Sequence, residues 1–217
     1  MDWTAPIDAY CERLGPTFWA EPVNAITNAA FVVAAWVMFY RTSGTRTAVQ
    51  ATLIALLAMI GIGSFLFHTF ATPWAAASDV LPILLFILAY VFAANRDFWG
   101  WTVWRAILGT LAFLPYAAVA AWIFARLPFF EISAAYWPVP LLIAAYATLL
   151  PDRTTAVGLF IGAALLTLSL TFRSLDQTLC PALPIGTHFL WHILNASMLA
   201  WMIEVHRRHL AAHAATS

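Results

Sequence analysis

The segment Gly186-Thr187-His188-Phe189-Leu190-Trp191-His192 opens the last apolar run of the chain and sets two imidazoles four residues apart. On a helix, side chains at that spacing lie on one face with Cβ atoms about 5–6 Å apart, close enough to share a metal ion. By itself the pair is equally compatible with two packed histidines that donate to neighbouring carbonyls. The spacing recurs in Ser64-Phe65-Leu66-Phe67-His68, and Asp79 follows eleven positions later. A carboxylate inside an apolar helix costs on the order of 2.5–3.5 kcal/mol on insertion scales, so it demands a partner. Three imidazoles, His68, His188 and His192, with one coordination position left for water, make a catalytic zinc arrangement. Water on such an ion has its pKa lowered to about 7, which gives hydroxide at neutral pH and an attack on a carbonyl. In that chemistry Asp79 orients the water and shuttles a proton, because a fourth protein ligand would close the site. Ser64 donates to the developing oxyanion. The competing interpretation is a structural hydrogen-bond cluster in which Ser64 bonds back to its own helix.

What must hold these groups together follows from composition. The 217 residues are 63% hydrophobic and 9% charged, with no lysine, and mean hydropathy is +0.83. That is the usage of an integral membrane protein. Apolar runs at 22–40, 48–70, 79–95, 101–125, 133–150, 155–172 and 184–204 predict seven helices, each near the ~20 residues that cross a bilayer. The expected fold is all-α: a seven-transmembrane-helix bundle forming one domain over 1–217, with an outer interfacial cap at 1–20 and a cytoplasmic tail at 205–217. The apolar runs are continuous rather than alternating, which excludes a β-barrel. Gly61, Gly63, Gly109, Gly158 and Gly162 suit close helix contacts. Trp99, Trp101 and Trp104 read as an interfacial belt. Residues 1–10 hold no basic group, so the cationic start of a cleavable signal peptide is missing. A net charge of zero without a basic cluster leaves no surface for nucleic acid.

Orientation rests on the arginines. With the N-terminus outside, Arg41, Arg46, Arg96, Arg105, Arg153, Arg207 and Arg208 lie inside, and Arg13, Arg126 and Arg173 lie outside. Seven against three favours that arrangement under the positive-inside rule. His68, Asp79 and His188 then share the outer depth, on the periplasmic or lumenal side, and His206, His209 and His213 fall in a solvated basic end. The only two cysteines, Cys11 and Cys180, also fall outside, and a disulfide between them would pin the cap over the site. Two buried free thiols are the alternative.

Ser64-x-x-x-His68, Asp79 and His188-x-x-x-His192 in the last helix together resemble the alkaline ceramidase family, within the larger group of seven-helix hydrolases and progestin and adipoQ receptors. Tyr10-Cys11-Glu12, Ala20-Glu21-Pro22-Val23-Asn24 and Thr27-Asn28 extend the resemblance to the N-terminus. It implies zinc on His68, His188 and His192, assistance from Asp79 and Ser64, and cleavage of a ceramide or related lipid to a sphingoid base and a fatty acid. It also implies a calcium site in the cap, for which Glu12, Glu21 and Asp8 are the carboxylates at hand. There the chain departs from the family's Asp-Trp-Cys-Glu-x-Asn: it reads Ala9-Tyr10-Cys11-Glu12-Arg13-Leu14, and calcium wants six to eight oxygens. The other reading of these carboxylates is that Glu12 and Glu21 cap the first helix or pair with Arg13 or Arg173. Competing functions are a receptor or sensor of the same superfamily, a zinc-dependent lipid esterase, and a haem-binding electron carrier. The haem carrier is weakest, because histidines four apart on one helix do not supply opposite axial ligands.

Overall fold

The computed structural model describes residues 2–214, so Met1 and the last three residues of the expected tail, 215–217, lie outside the described residues. Eight α-helices follow one another: α1 (Pro22–Thr27), α2 (Ala29–Arg41), α3 (Ala48–Phe70), α4 (Pro73–Ala93), α5 (Val103–Phe124), α6 (Pro138–Leu149), α7 (Arg153–Leu179) and α8 (His188–Ala214). A π-helical turn at Ala94–Phe98 extends α4. Helix starts are written locally. Thr47 and Gln50 form a capping box at α3, Asp152 accepts from the Thr154 amide at α7, and Pro73 and Pro138 stand at the first positions of α4 and α6, where a missing amide costs nothing.

Each helix packs on the next, and α8 closes the ring by packing against α2, α3 and α7. Leu53, Leu57 and Ile60 of α3 meet Leu166 and Leu170 of α7 and Ile203 of α8 in the buried centre. Large apolar side chains such as Trp36, Ile62, Val119 and Leu149 face outward. Helices apolar on every side are what a bilayer selects. The stretches Pro22–Arg41, Ala48–Phe70, Pro73–Phe98, Val103–Phe124 and Arg153–Leu179 are long and apolar enough to cross a membrane. The fold is therefore an all-helical bundle of the multi-pass membrane class.

Several boundaries differ from the apolar runs. The helix of the third apolar run, α4, begins at Pro73 rather than 79, because Pro73 and Ser78 lower the hydropathy of its start; Asp79 thus lies inside α4. Helix α7 runs to Leu179 instead of ending near 172, so Arg173 is a helix-interior residue rather than part of an outer loop. The tail expected to be solvated from 205 is instead the end of α8. His206 and His209 are buried there, with the Phe98 ring tilted against the first and edge-on to the second.

Gly63 decides how α3 and α4 meet. A Cβ there would lie 2.0 Å from the Ser78 carbonyl oxygen, so the two backbones are in direct contact one residue before Asp79. Gly63→Ala must push α4 away, an overpacking cost of about 1–3 kcal/mol. A lowered unfolding temperature of the detergent-solubilised protein checks this, with Ala58→Gly, on the same helix away from that contact, as the comparison.

Candidate metal centre

Three helices and the cap deliver the site. Residues 2–20 form turns rather than a helix, and they are fastened to the bundle by the Cys11–Cys180 disulfide, whose Cα atoms are 5.5 Å apart. A hydrogen bond of 2.7 Å from the Ile7 amide to the Ala71 carbonyl holds the other side of the cap. His68 comes from the C-terminal end of α3, and His188 and His192 from the first turns of α8. All three are buried, at 1%, 1% and 0% exposure.

One nitrogen of each of two rings is pinned from outside the cluster. His68 Nδ1 lies 2.6 Å from Glu21 Oε2, and a carboxylate only accepts, so Nδ1 carries the proton and Nε2 presents a lone pair. His192 Nδ1 lies 2.9 Å from Thr27 Oγ1. The Thr27 hydroxyl already donates to the Val23 carbonyl at 2.8 Å, so it accepts from Nδ1 and leaves the Nε2 lone pair free. The His188 ring is fixed by stacking on Tyr10, with centroids 3.7 Å apart.

The remaining nitrogens, His68 Nε2, His188 Nδ1 and His192 Nε2, are buried without a hydrogen-bond partner, and one ligand nitrogen from each of the three rings lies within 4.8 Å of the others. A buried polar atom left unpaired costs about 1–3 kcal/mol. One cation satisfies all three, and neutral imidazoles oriented by an outer carboxylate or hydroxyl are what zinc selects. The donor set fits zinc. The other group with ligand-like spacing among the described residues, Asp152, His209 and His213, differs in kind: both ring nitrogens of His209 are engaged, Nδ1 by Thr155 and Nε2 by the Asp97 carbonyl.

Asp79 and Ser64 stand beside the cluster. Ser64 is buried one helical turn below His68, and the half-buried Asp79 follows Ser78, whose backbone packs directly on Gly63, the residue before Ser64. Arg173 donates through Nη1 to the Ile132 carbonyl at 2.9 Å and to Ser133 Oγ at 3.0 Å, with its guanidinium 5.2 Å from the Tyr136 ring centre. Burial pushes the Tyr10 hydroxyl up to about 12 despite the opposing charge of Arg173, so it remains a donor throughout the neutral range. Next to Tyr136 and Trp191 a narrow apolar cavity descends between α4, α6, α7 and α8, lined by Phe86, Tyr90, Ile143, Leu166 and Met198.

Of the five residues expected from the spacing, His68, His188 and His192 come together in one cluster, with Ser64 one turn from His68 on α3 and Asp79 on the adjoining stretch of α4. The carboxylates expected to hold calcium have these surroundings. Asp8 is exposed, Glu12 accepts from the Val23 and Asn24 amides at 2.7 and 2.8 Å, and Glu21 accepts from Arg13, His68 and Asn24. Although burial disfavours its charge, hydrogen bonds from His68 and Arg13 hold the Glu21 carboxyl below the usual carboxylate range.

Asp176 carries no signal in the sequence, because it follows an arginine and a serine near a helix end and reads as surface. It is buried, and its Oδ1 accepts from the Thr187 and His188 amides at 2.7 and 2.9 Å while Oδ2 accepts from the Cys11 amide at 2.9 Å. One carboxylate thus anchors the N-terminus of the ligand helix to the cap, at the favourable end of the helix dipole. Gly186 makes room for it: φ is +64°, and a Cβ there would lie 2.1 Å from Asp176 Oδ1. Asp176→Ala strands three buried amides and is expected to cost at least about 3 kcal/mol, with Asp176→Asn losing less. Thermal unfolding of the two variants beside the parent measures this. No protein-family model and no curated protein matches the chain.

Proposed function

We propose that this protein is a zinc-dependent transmembrane lipid amide hydrolase that cleaves an N-acyl sphingoid lipid to a sphingoid base and a fatty acid. The observation that carries this reading is the convergence of three imidazoles with unpartnered buried nitrogens, two with their other nitrogen pinned, on helices that also carry Ser64 and Asp79 and line an apolar cavity through Ile60, Ile83 and Trp191. His68, His188 and His192 would hold the ion. Zinc at such a site supplies Lewis acidity toward a carbonyl and brings the pKa of water to about 7.

The chain's own groups do the rest. Asp79 takes a proton from the attacking water and returns it to the leaving amine, which must depart protonated. Ser64 turns its hydroxyl toward the oxygen that gains charge. The apolar cavity receives hydrocarbon and excludes water, while Arg173, beside the lining rings of Tyr136 and Trp191, meets the polar headgroup.

In this reading the chain crosses the membrane seven times, with α6 and α8 completing the five longer spans, the N-terminus and site outside and the C-terminus in the cytoplasm. The support for this orientation is the arginine count, seven inside against three outside. Incubating the purified protein with a panel of N-acyl sphingoid lipids, other lipid amides and lipid esters, with and without a zinc chelator, tests the function. Chelator-sensitive release of fatty acid from the amides supports it. Release from esters only would make the protein an esterase, and release from neither would favour the receptor or sensor reading.

A further inference from the structure

The cap places a guanidinium where the resemblance calls for a divalent cation. Arg13 is 7% exposed, and every branch of its head is occupied: Nε donates to Glu21 Oε1, Nη1 to the Gly15 carbonyl at 3.0 Å and Nη2 to the His68 carbonyl at 2.9 Å. Those acceptors are one carboxylate and two backbone carbonyls, the ligand types that a hard cation would gather. Glu12, the second carboxylate in reach, spends both oxygens on the first amides of α1. The ring of oxygens is thus already filled by a permanent charge of the chain.

The same guanidinium touches the metal centre twice. It holds Glu21, whose other oxygen accepts from His68 Nδ1 at 2.6 Å, and it binds the His68 carbonyl directly. We propose that Arg13 is the resident cation of the cap: it replaces calcium, and by fixing Glu21 against His68 it sets the zinc affinity of the histidine cluster. Arg13 is a positioning residue, and its influence on zinc rests on the metal reading given above. The planar fork matters, because three acceptors in different directions suit a guanidinium and a point-charge ammonium reaches only some of them. Removing the charge leaves Glu21 buried without an opposing partner.

The test uses the full chain in detergent, stripped of metal and titrated with zinc against a chromogenic chelator, in calcium-free buffer and in millimolar calcium. For the parent, zinc affinity and unfolding temperature are expected to be the same in both buffers. Arg13→Gln is expected to bind zinc about 10–100-fold more weakly, as loss of an outer partner of a ligand does, and Arg13→Lys to recover part of that loss. A parent whose zinc affinity or unfolding temperature rises with calcium would overturn the proposal, as would an Arg13→Gln variant that binds zinc like the parent. If Arg13→Gln does not fold, Arg13→Lys against the parent carries the comparison, with an unchanged zinc affinity counting against the proposal. If the parent binds no zinc, the metal reading itself fails; the unfolding temperatures with and without calcium still decide whether Arg13 fills the cation's place.

Discussion

Replacing any one of His68, His188 and His192 by Ala is expected to remove both zinc and hydrolysis. Each ring contributes one buried nitrogen that finds no partner in the protein, so each deletion leaves only two donors around the ion. The loss should exceed the ~10–100-fold that accompanies removal of an outer partner of a ligand. Glu21→Gln and Thr27→Val provide that milder comparison, since they touch His68 and His192 only through Nδ1. Metal content by mass spectrometry and fatty acid release, measured on the same preparations, check the prediction. A histidine variant that keeps one zinc per chain and turns over normally would remove that residue from the site.

Asp79→Asn and Ser64→Ala are expected to separate turnover from metal. Neither side chain belongs to the cluster of unpartnered nitrogens, and Asp79 is half-buried where a reacting group can reach it. At saturating zinc both variants should hold the ion. Ser64→Ala should lose on the order of 10²–10³ in rate if its hydroxyl meets the developing oxyanion. Asp79→Asn keeps the shape but cannot accept the proton, and general acid–base catalysis is worth about 10²–10⁴. Should Asp79→Asn emerge metal-free with zinc in excess, the carboxylate would be a ligand and the division of roles would have to be redrawn.

The helix-forming runs and the five candidate site residues were legible because both obey spacing rules. Apolar stretches of bilayer length announce helices, and His188 and His192 share a face at any four-residue separation on one helix. The contributions that escaped are those made across the fold. Arg173 read as loop because hydropathy falls before α7 ends, yet the helix continues and carries it to the rim of the site. Asp176 and Thr27 act on backbone amides and on a ring far away in sequence, contacts for which no local pattern exists. Glu12 and Glu21 illustrate a different limit. Their identity suggested a cation, but whether the cation was an ion or a side chain depended on where Arg13 pointed. The second reading of those carboxylates, helix cap and arginine partner, is the one their contacts follow. His206 reads as solvated in the sequence because charged residues surround it, whereas the π-helical turn at Ala94–Phe98 brings Asp97 to within 2.7 Å of its ring, which is buried.

The reading of the site depends on zinc and lipid amide cleavage being one property of the same three nitrogens. The most direct test titrates zinc into metal-stripped protein and follows bound zinc and fatty acid release from an N-acyl sphingoid lipid in the same samples. Release should rise in proportion to bound zinc and level off at one ion per chain, and a chelator should reverse it. Cleavage that proceeds unchanged in stripped protein, or stoichiometric zinc binding with no release from any N-acyl lipid, would contradict it.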